Sequence, residues 1–119
     1  MLNNTNAFSS FSVNDLEKAK EFYQKLGFEV VVEAPFEGDK MWIQMGLPGG
    51  GASISLITWF KEMPAGCLHG MVIKCDNVET EKAELSAKGI ETGKIDPTPW
   101  GKFLSVKDPD GNHLIFRQD

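Results

Sequence analysis

The segment Asn14-Asp-Leu-Glu-Lys-Ala-Lys-Glu-Phe-Tyr-Gln-Lys-Leu-Gly-Phe-Glu29 returns later in the chain, without a gap, as Asp76-Asn-Val-Glu-Thr-Glu-Lys-Ala-Glu-Leu-Ser-Ala-Lys-Gly-Ile-Glu91, at a constant offset of 62. Glu17, Lys20, Gly27 and Glu29 recur as Glu79, Lys82, Gly89 and Glu91; Leu16, Tyr23 and Phe28 keep their apolar character as Val78, Leu85 and Ile90. The matches fall on positions with structural work to do. Asn14 and Asp76 read as helix N-caps, each with a glutamate three residues on, the pattern of a capping box. Leu16, Ala19, Tyr23 and Leu26 then form one apolar stripe at helical spacing. The second copy keeps only Val78 and Leu85 and is more polar. Gly27 and Gly89 stand where a helix ends in a left-handed residue.

Outward from these helices, both copies read as strands. Ala7–Val13 and Gly70–Cys75 precede the caps; Phe28–Glu33 and Ile90–Lys94 follow the glycines. A hairpin comes next in each: Lys40–Gly46 to Ala52–Thr58, and Lys102–Lys107 to Asn112–Arg117. The second turns at Asp108-Pro109-Asp110-Gly111, residues suited to a tight turn. The first turns at Leu47-Pro48-Gly49-Gly50-Gly51. The chain is therefore read as α+β, with two βαβββ modules in one domain over residues 1–119. Module one covers about 6–60, the linker about 59–68, and module two about 68–119.

Composition narrows the function. The 119 residues carry twelve Lys and Arg against seventeen acids, a net charge of -5, with no basic stripe. Phosphate-backbone binding needs clustered cations, so nucleic acid is not an expected partner. No apolar run reaches the roughly 18 residues of a spanning helix, and the N-terminal residues resemble no signal peptide, so a cytoplasmic protein is expected and no membrane partner. Cys67 and Cys75 fit neither a C-x-x-C motif nor a zinc knuckle.

With these elements in place, Phe11-Ser-Val-Asn-Asp-Leu-Glu-Lys-Ala-Lys-Glu-Phe-Tyr-Gln-Lys-Leu-Gly-Phe-Glu29 resembles the opening of glyoxalase/bleomycin-resistance (vicinal oxygen chelate) proteins. Pro99-Trp100-Gly101 followed by Asp108-Pro109-Asp110-Gly111-Asn112 resembles their closing signature. The resemblance implies a U-shaped sheet whose concave face makes a ligand cavity. It also implies four metal-ligand positions, one in the first and one in the last strand of each module. In this chain those positions are Phe8, Ser55, Gly70 and Ile115, with His69 one residue before Gly70. None of the four offers a side chain that binds a divalent metal well, so no metal and no cofactor is expected.

Other combinations are weaker. Strand alternation would put His69 on the face opposite Gly70, and His113 on the face of Ile115, so a shared metal site is not expected. Ser9, Ser10, Ser12, Ser53 and Ser55 lack a nucleophile elbow and are read as polar lining. The glycines of Leu47–Gly51 lack the Gly-Lys-Ser/Thr ending of a phosphate loop, and Asp108 with Asp110 lacks the other ligands of a calcium loop.

The aromatic residues decide the expected site. In Lys40-Met41-Trp42-Ile43-Gln44-Met45 one parity is apolar and belongs under the helix, which turns Trp42 and Gln44 to the cavity. The same parity places His113, Ile115 and Arg117 there, and Asn6, Phe8, Ser10 and Ser12 from the first strand. Phe8, Trp42, Ser55, His113, Ile115 and Arg117 should thus share one cavity with Trp100 near its rim, and Arg117 or Lys102 should steer an anionic group. The expected function is metal-independent binding of an aromatic or amphipathic small molecule by a homodimer. The alternative is a divergent enzyme of the same family, lyase, isomerase or dioxygenase-like, with a rearranged or absent metal site: a metal lyase with rearranged ligands, or a metal-free isomerase using His113 as acid or base.

Overall fold

In the computed structural model, residues 8–35, 37–49, 53–59 and 61–119 are described. The elements run β1 (Phe8–Ser12), α1 (Leu16–Leu26), β2 (Glu29–Pro35), β3 (Met41–Gly46), β4 (Ser53–Ile57), β5 (Met71–Lys74), α2 (Val78–Ala87), β6 (Asp96–Thr98), β7 (Gly101–Lys107) and β8 (His113–Gln118). They form two four-stranded sheets of matching topology, β1-β4-β3-β2 and β5-β8-β7-β6. In each sheet the first strand pairs in parallel with the last of its module, and the other pairings are antiparallel. The fold is α+β, and the internal repeat is its two βαβββ modules. No helix among the described residues is long and apolar enough to cross a membrane.

Burial follows the repeat. On α1, Ala19 and Tyr23 are buried, and on α2 Val78 and Leu85. Beneath them lie Phe11, Ile43, Met45, Ile54 and Leu56 in module one and Ile73, Leu104, Val106, Leu114 and Phe116 in module two. Each such side chain contributes about 1.5–3 kcal/mol on leaving water. Tyr23 sits among Phe11, Phe22 and Phe28, with all three ring pairs edge-to-face at 5.2–5.9 Å, the arrangement ring quadrupoles favour.

Three expectations need correction. The N-caps are Asp15 and Asn77, whose side chains accept from the amides of Lys18 and Thr80, so neither helix starts with a capping box at Asn14 or Asp76. Each helix begins with two consecutive Asx residues and either can cap. Asn14 is instead drawn away, donating from its amide and its side chain to Asp110. Second, the segment 90–94 is no strand: Thr92 makes one isolated bridge to Val106, and pairing resumes only at β6. Pro97 is tolerated there because β6 is an edge strand, where a missing N–H costs little.

Third, His69 and His113 are together, with ring centroids 4.5 Å apart. The alternation rule failed because β5 starts only at Met71 and Gly70 has φ +92°, so His69 lies in a loop, outside the pleat that the rule assumes. Lys102 pairs with Glu79 of α2 at 3.0 Å and lines the same open cleft as Arg117. Asn6, the segment 50–52 and the side chain of Phe8 lie outside the described residues.

The modules meet through a polar lock. Asp108 Oδ2 accepts from Tyr23 Oη at 2.8 Å and Asn112 Nδ2 at 2.7 Å, while Asp108 Oδ1 accepts from the amides of Asp110 and Asn112. Asn112 Nδ2 also donates to the Ser12 carbonyl, and its Oδ1 accepts from the Leu68 amide. Asn112 is fully buried, so water cannot replace these partners. Burial, then the neighbouring Asp108 carboxylate, push the Tyr23 hydroxyl well above its usual range, which keeps it a proton donor to Asp108.

Candidate functional site

Each sheet has one face packed under its helix and one face turned away from it. The chain measures 46 × 37 × 25 Å. Packed sheets lie about 10 Å apart, so this thickness accommodates little beyond one sheet with its helix. The helix-free faces differ in burial: Ser12, Ser55 and Ile57 of module one are nearly inaccessible, whereas Val72 of module two is exposed.

In module one, Ile43 and Met45 of β3 are buried under α1, while Trp42 and Gln44 are half-buried on the opposite face. Gln44 pairs with Ser55 of β4, and Ser55 with Ser10 of β1. This row of amide and hydroxyls crosses three strands. Gln44 Nε2 donates to Ser53 Oγ at 3.2 Å, and Ser55 is nearly inaccessible.

In module two, Leu114 and Phe116 are buried, and His113, Ile115 and Arg117 occupy the other face of β8. Ile115 lies between Val72 of β5 and Ser105 of β7, and Arg117 pairs with Phe103. Val72 is 51% exposed. Val72 and Phe103 were not singled out from the sequence, although the alternation of β5 and β7 contains them. Arg117 Nη2 donates to the Trp100 carbonyl at 3.0 Å and lies 3.3 Å from Asp119 Oδ1. Arg117 and Trp100 thus border one open cleft with Pro97, Thr98 and Gln118, and Trp100 is 73% exposed.

The expected residues therefore form two groups within one chain. Trp42 and Ser55 belong to the first sheet; His113, Ile115, Arg117 and Trp100 belong to the second. Arg117 and Trp100 share one cleft, while Trp42 and Ser55 lie on the other sheet. The pleat alternation assigned each strand residue its face, but alternation says nothing of how two sheets are placed relative to each other.

At the metal-ligand positions implied by the family resemblance, Ser55 offers a neutral buried hydroxyl, Gly70 no side chain and Ile115 a hydrocarbon. These side chains do not fit a divalent ion. Among the described residues no three His, Cys, Asp or Glu side chains are grouped to hold one. The His69–His113 pair is the nearest approach to such chemistry. The His113 amide donates to the Leu68 carbonyl at 2.8 Å, which brings the linker and its imidazole onto β8. Desolvation, then His69 and Lys107, lower the His113 pKa, favouring a neutral ring that can donate and accept.

The two faces can stack flat rings on Trp42, bury hydrocarbon on Val72, Phe103 and Ile115, accept and donate hydrogen bonds at Gln44, and meet an anion at Arg117. Known proteins share this architecture. A Streptomyces sp. CB03234 antibiotic binding protein, TnmS3, is 34% identical, with a TM-score of 0.90 over 99% of this chain and 98% of that one. A glyoxalase/bleomycin resistance protein from the same organism is 36% identical, with a TM-score of 0.84 over 95% and 99%. The Bacillus subtilis protein YetH is 27% identical over 111 residues, 89% of this chain and 91% of that protein. The family model of the glyoxalase/bleomycin resistance protein/dioxygenase superfamily matches residues 6–116, and with the repeat, the sheet order and these relatives the chain belongs to that superfamily.

Proposed function

We propose that this protein is a metal-independent, cytoplasmic binder of an aromatic or amphipathic small molecule, sequestering it without turnover. The observation that carries the reading is the pair of helix-free sheet faces, each mixing aromatic or apolar walls with a few polar groups, as ligand sites do. The likeness to an antibiotic binding protein at 34% identity supports the same class of ligand. In this proposal the chain works as one unit and pairs with a second copy. Trp42 and Ser55 of one protomer then face His113, Ile115 and Arg117 of its partner, with Trp100 at the rim, and Phe8 belongs to the same lining. Pairing also covers faces and edges that a lone chain leaves open.

The test is native mass spectrometry of untagged protein, together with metal analysis and sedimentation. A dimer retaining an organic molecule, with sub-stoichiometric metal, is the expected result. A stoichiometric transition metal, or a mass of 13.2 kDa at micromolar concentration, would overturn it. A second reading, an enzyme of the same superfamily working without the usual metal ligands, is favoured by one observation, the contact between His69 and the neutral-leaning His113. Its signature is chemical conversion of the retained molecule that stops in His113→Gln.

A further inference from the structure

A different cleft, of about 610 Å³, lies between α1 and the segment that follows α2. One wall is the face of α1 carrying Lys18, Glu21, Phe22 and Lys25; the other includes Gly89–Gly93, with Ser105 and Lys107 of β7 at the far side. Residues 18, 21, 22 and 25 share one helical face by their i, i+3, i+4, i+7 spacing, and Ala19 and Tyr23 on the adjoining face are buried in the core. Two inter-module ties hold the walls: Tyr23 Oη to Asp108 at 2.8 Å, and Lys88 Nζ to the Lys25 carbonyl at 2.8 Å. The cleft is thus a fixed part of the junction, and its volume is that of a small-molecule site (about 300–1,000 Å³).

Its lining sets three lysines (Lys18, Lys25, Lys107) against three acids (Glu21, Glu91, Asp108), in a chain of net charge -5. Lys18 and Lys107 have no ion-pair partner among the described residues, whereas Lys25 faces Glu21 at 3.8 Å. Asp108 is occupied by four hydrogen bonds, leaving Glu91 as the uncommitted acid of the lining. Half-buried Phe22, held edge-on against Tyr23, and buried Ile90 give the cleft apolar surface beside these cations.

We propose that this cleft is a second binding site, for a planar aromatic anion that lies against Phe22 with its charge between Lys18 and Lys107. The α1 wall takes no part in the helix-free sheet faces, whereas Ser105 and Lys107 belong to the helix-free face of β7, so Lys18 and Phe22 are the residues that tell the two sites apart. The test is a residue-resolved NMR titration of the full-length protein with naphthoate and its neutral carboxamide. Naphthoate should shift the amides of Phe22, Gly89, Thr92 and Gly93 with a Kd of about 1 mM, and the carboxamide should bind at least about fivefold more weakly. Lys18→Glu, an exposed change whose spectrum itself reports the fold, should weaken naphthoate about five- to tenfold. Shifts confined to the sheet faces, equal binding of the neutral amide, or indifference to Lys18→Glu would each overturn the proposal.

Discussion

Replacing Asn112 by alanine tests what joins the two modules. The substitution removes three side-chain hydrogen bonds: Nδ2 to Asp108 Oδ2 at 2.7 Å, Nδ2 to the Ser12 carbonyl at 3.0 Å, and the Leu68 amide to Oδ1 at 3.0 Å. The bond to a carboxylate is worth about 1.5–3 kcal/mol and each neutral one about 1 kcal/mol. Asn112 has no exposed surface, so solvent does not repair the loss. Two of the partners keep a second bond, Ser12 from the Gly66 amide and Asp108 from Tyr23. The expected destabilisation is about 4 kcal/mol, a large part of the roughly 5–15 kcal/mol that holds a typical domain. Equilibrium urea unfolding followed by circular dichroism measures it, at one fixed protein concentration because self-association shifts apparent stability. Tyr23→Phe removes one bond to the same carboxylate and should cost about 1.5–3 kcal/mol. The double variant should depart from additivity, since the two side chains share Asp108 Oδ2. A loss below about 1 kcal/mol for Asn112→Ala would refute the view that this lock holds the modules.

Gly66 has φ +83°, and a Cβ there would run into the Asp110 carbonyl; because both sides are backbone, Gly66→Ala should cost about 2–4 kcal/mol, read as a lowered melting temperature. Gly27→Ala, where φ is +108° with open space around it, should cost only about 1 kcal/mol. The His113 pKa is depressed below its ordinary 6.5 in the folded protein, so the unfolded chain binds the proton more readily and stability rises with pH across that interval. The contribution is complete above pH 6.5 and is lost as pH falls through the folded value; His113→Gln should flatten this slope in urea midpoints measured from pH 7.5 to about 5, and an unchanged slope would remove His113 as its source. If the sheet faces bind an aromatic ligand, Trp42→Ala should weaken it by about 1–3 kcal/mol and diminish the tryptophan fluorescence change on binding, while Ile115→Glu should abolish apolar binding without creating metal-dependent activity.

The sequence by itself determined the modules. The 62-residue repeat carries its own helix ends and core positions: Ala19 and Tyr23, Val78 and Leu85, with Gly27 and Gly89 both at positive φ. Pleat alternation likewise assigned Trp42, Ile115 and Arg117 to the helix-free faces, because side-chain direction in a strand depends only on position along it. What the tertiary structure decided concerns pairs of residues far apart in the chain. Asp108-Pro-Asp-Gly-Asn reads as a turn, and it is one, yet Asp108 and Asn112 also clamp Tyr23 and Ser12 of the other module. His69 meets His113 because Gly70 redirects the backbone just before β5. Lys18, Phe22 and Lys107 share a cleft because the lock sets α1 against module two. Local periodicity encodes which face a side chain takes; the distance between two faces is fixed by long-range packing and buried hydrogen bonds, which no pattern within either segment contains.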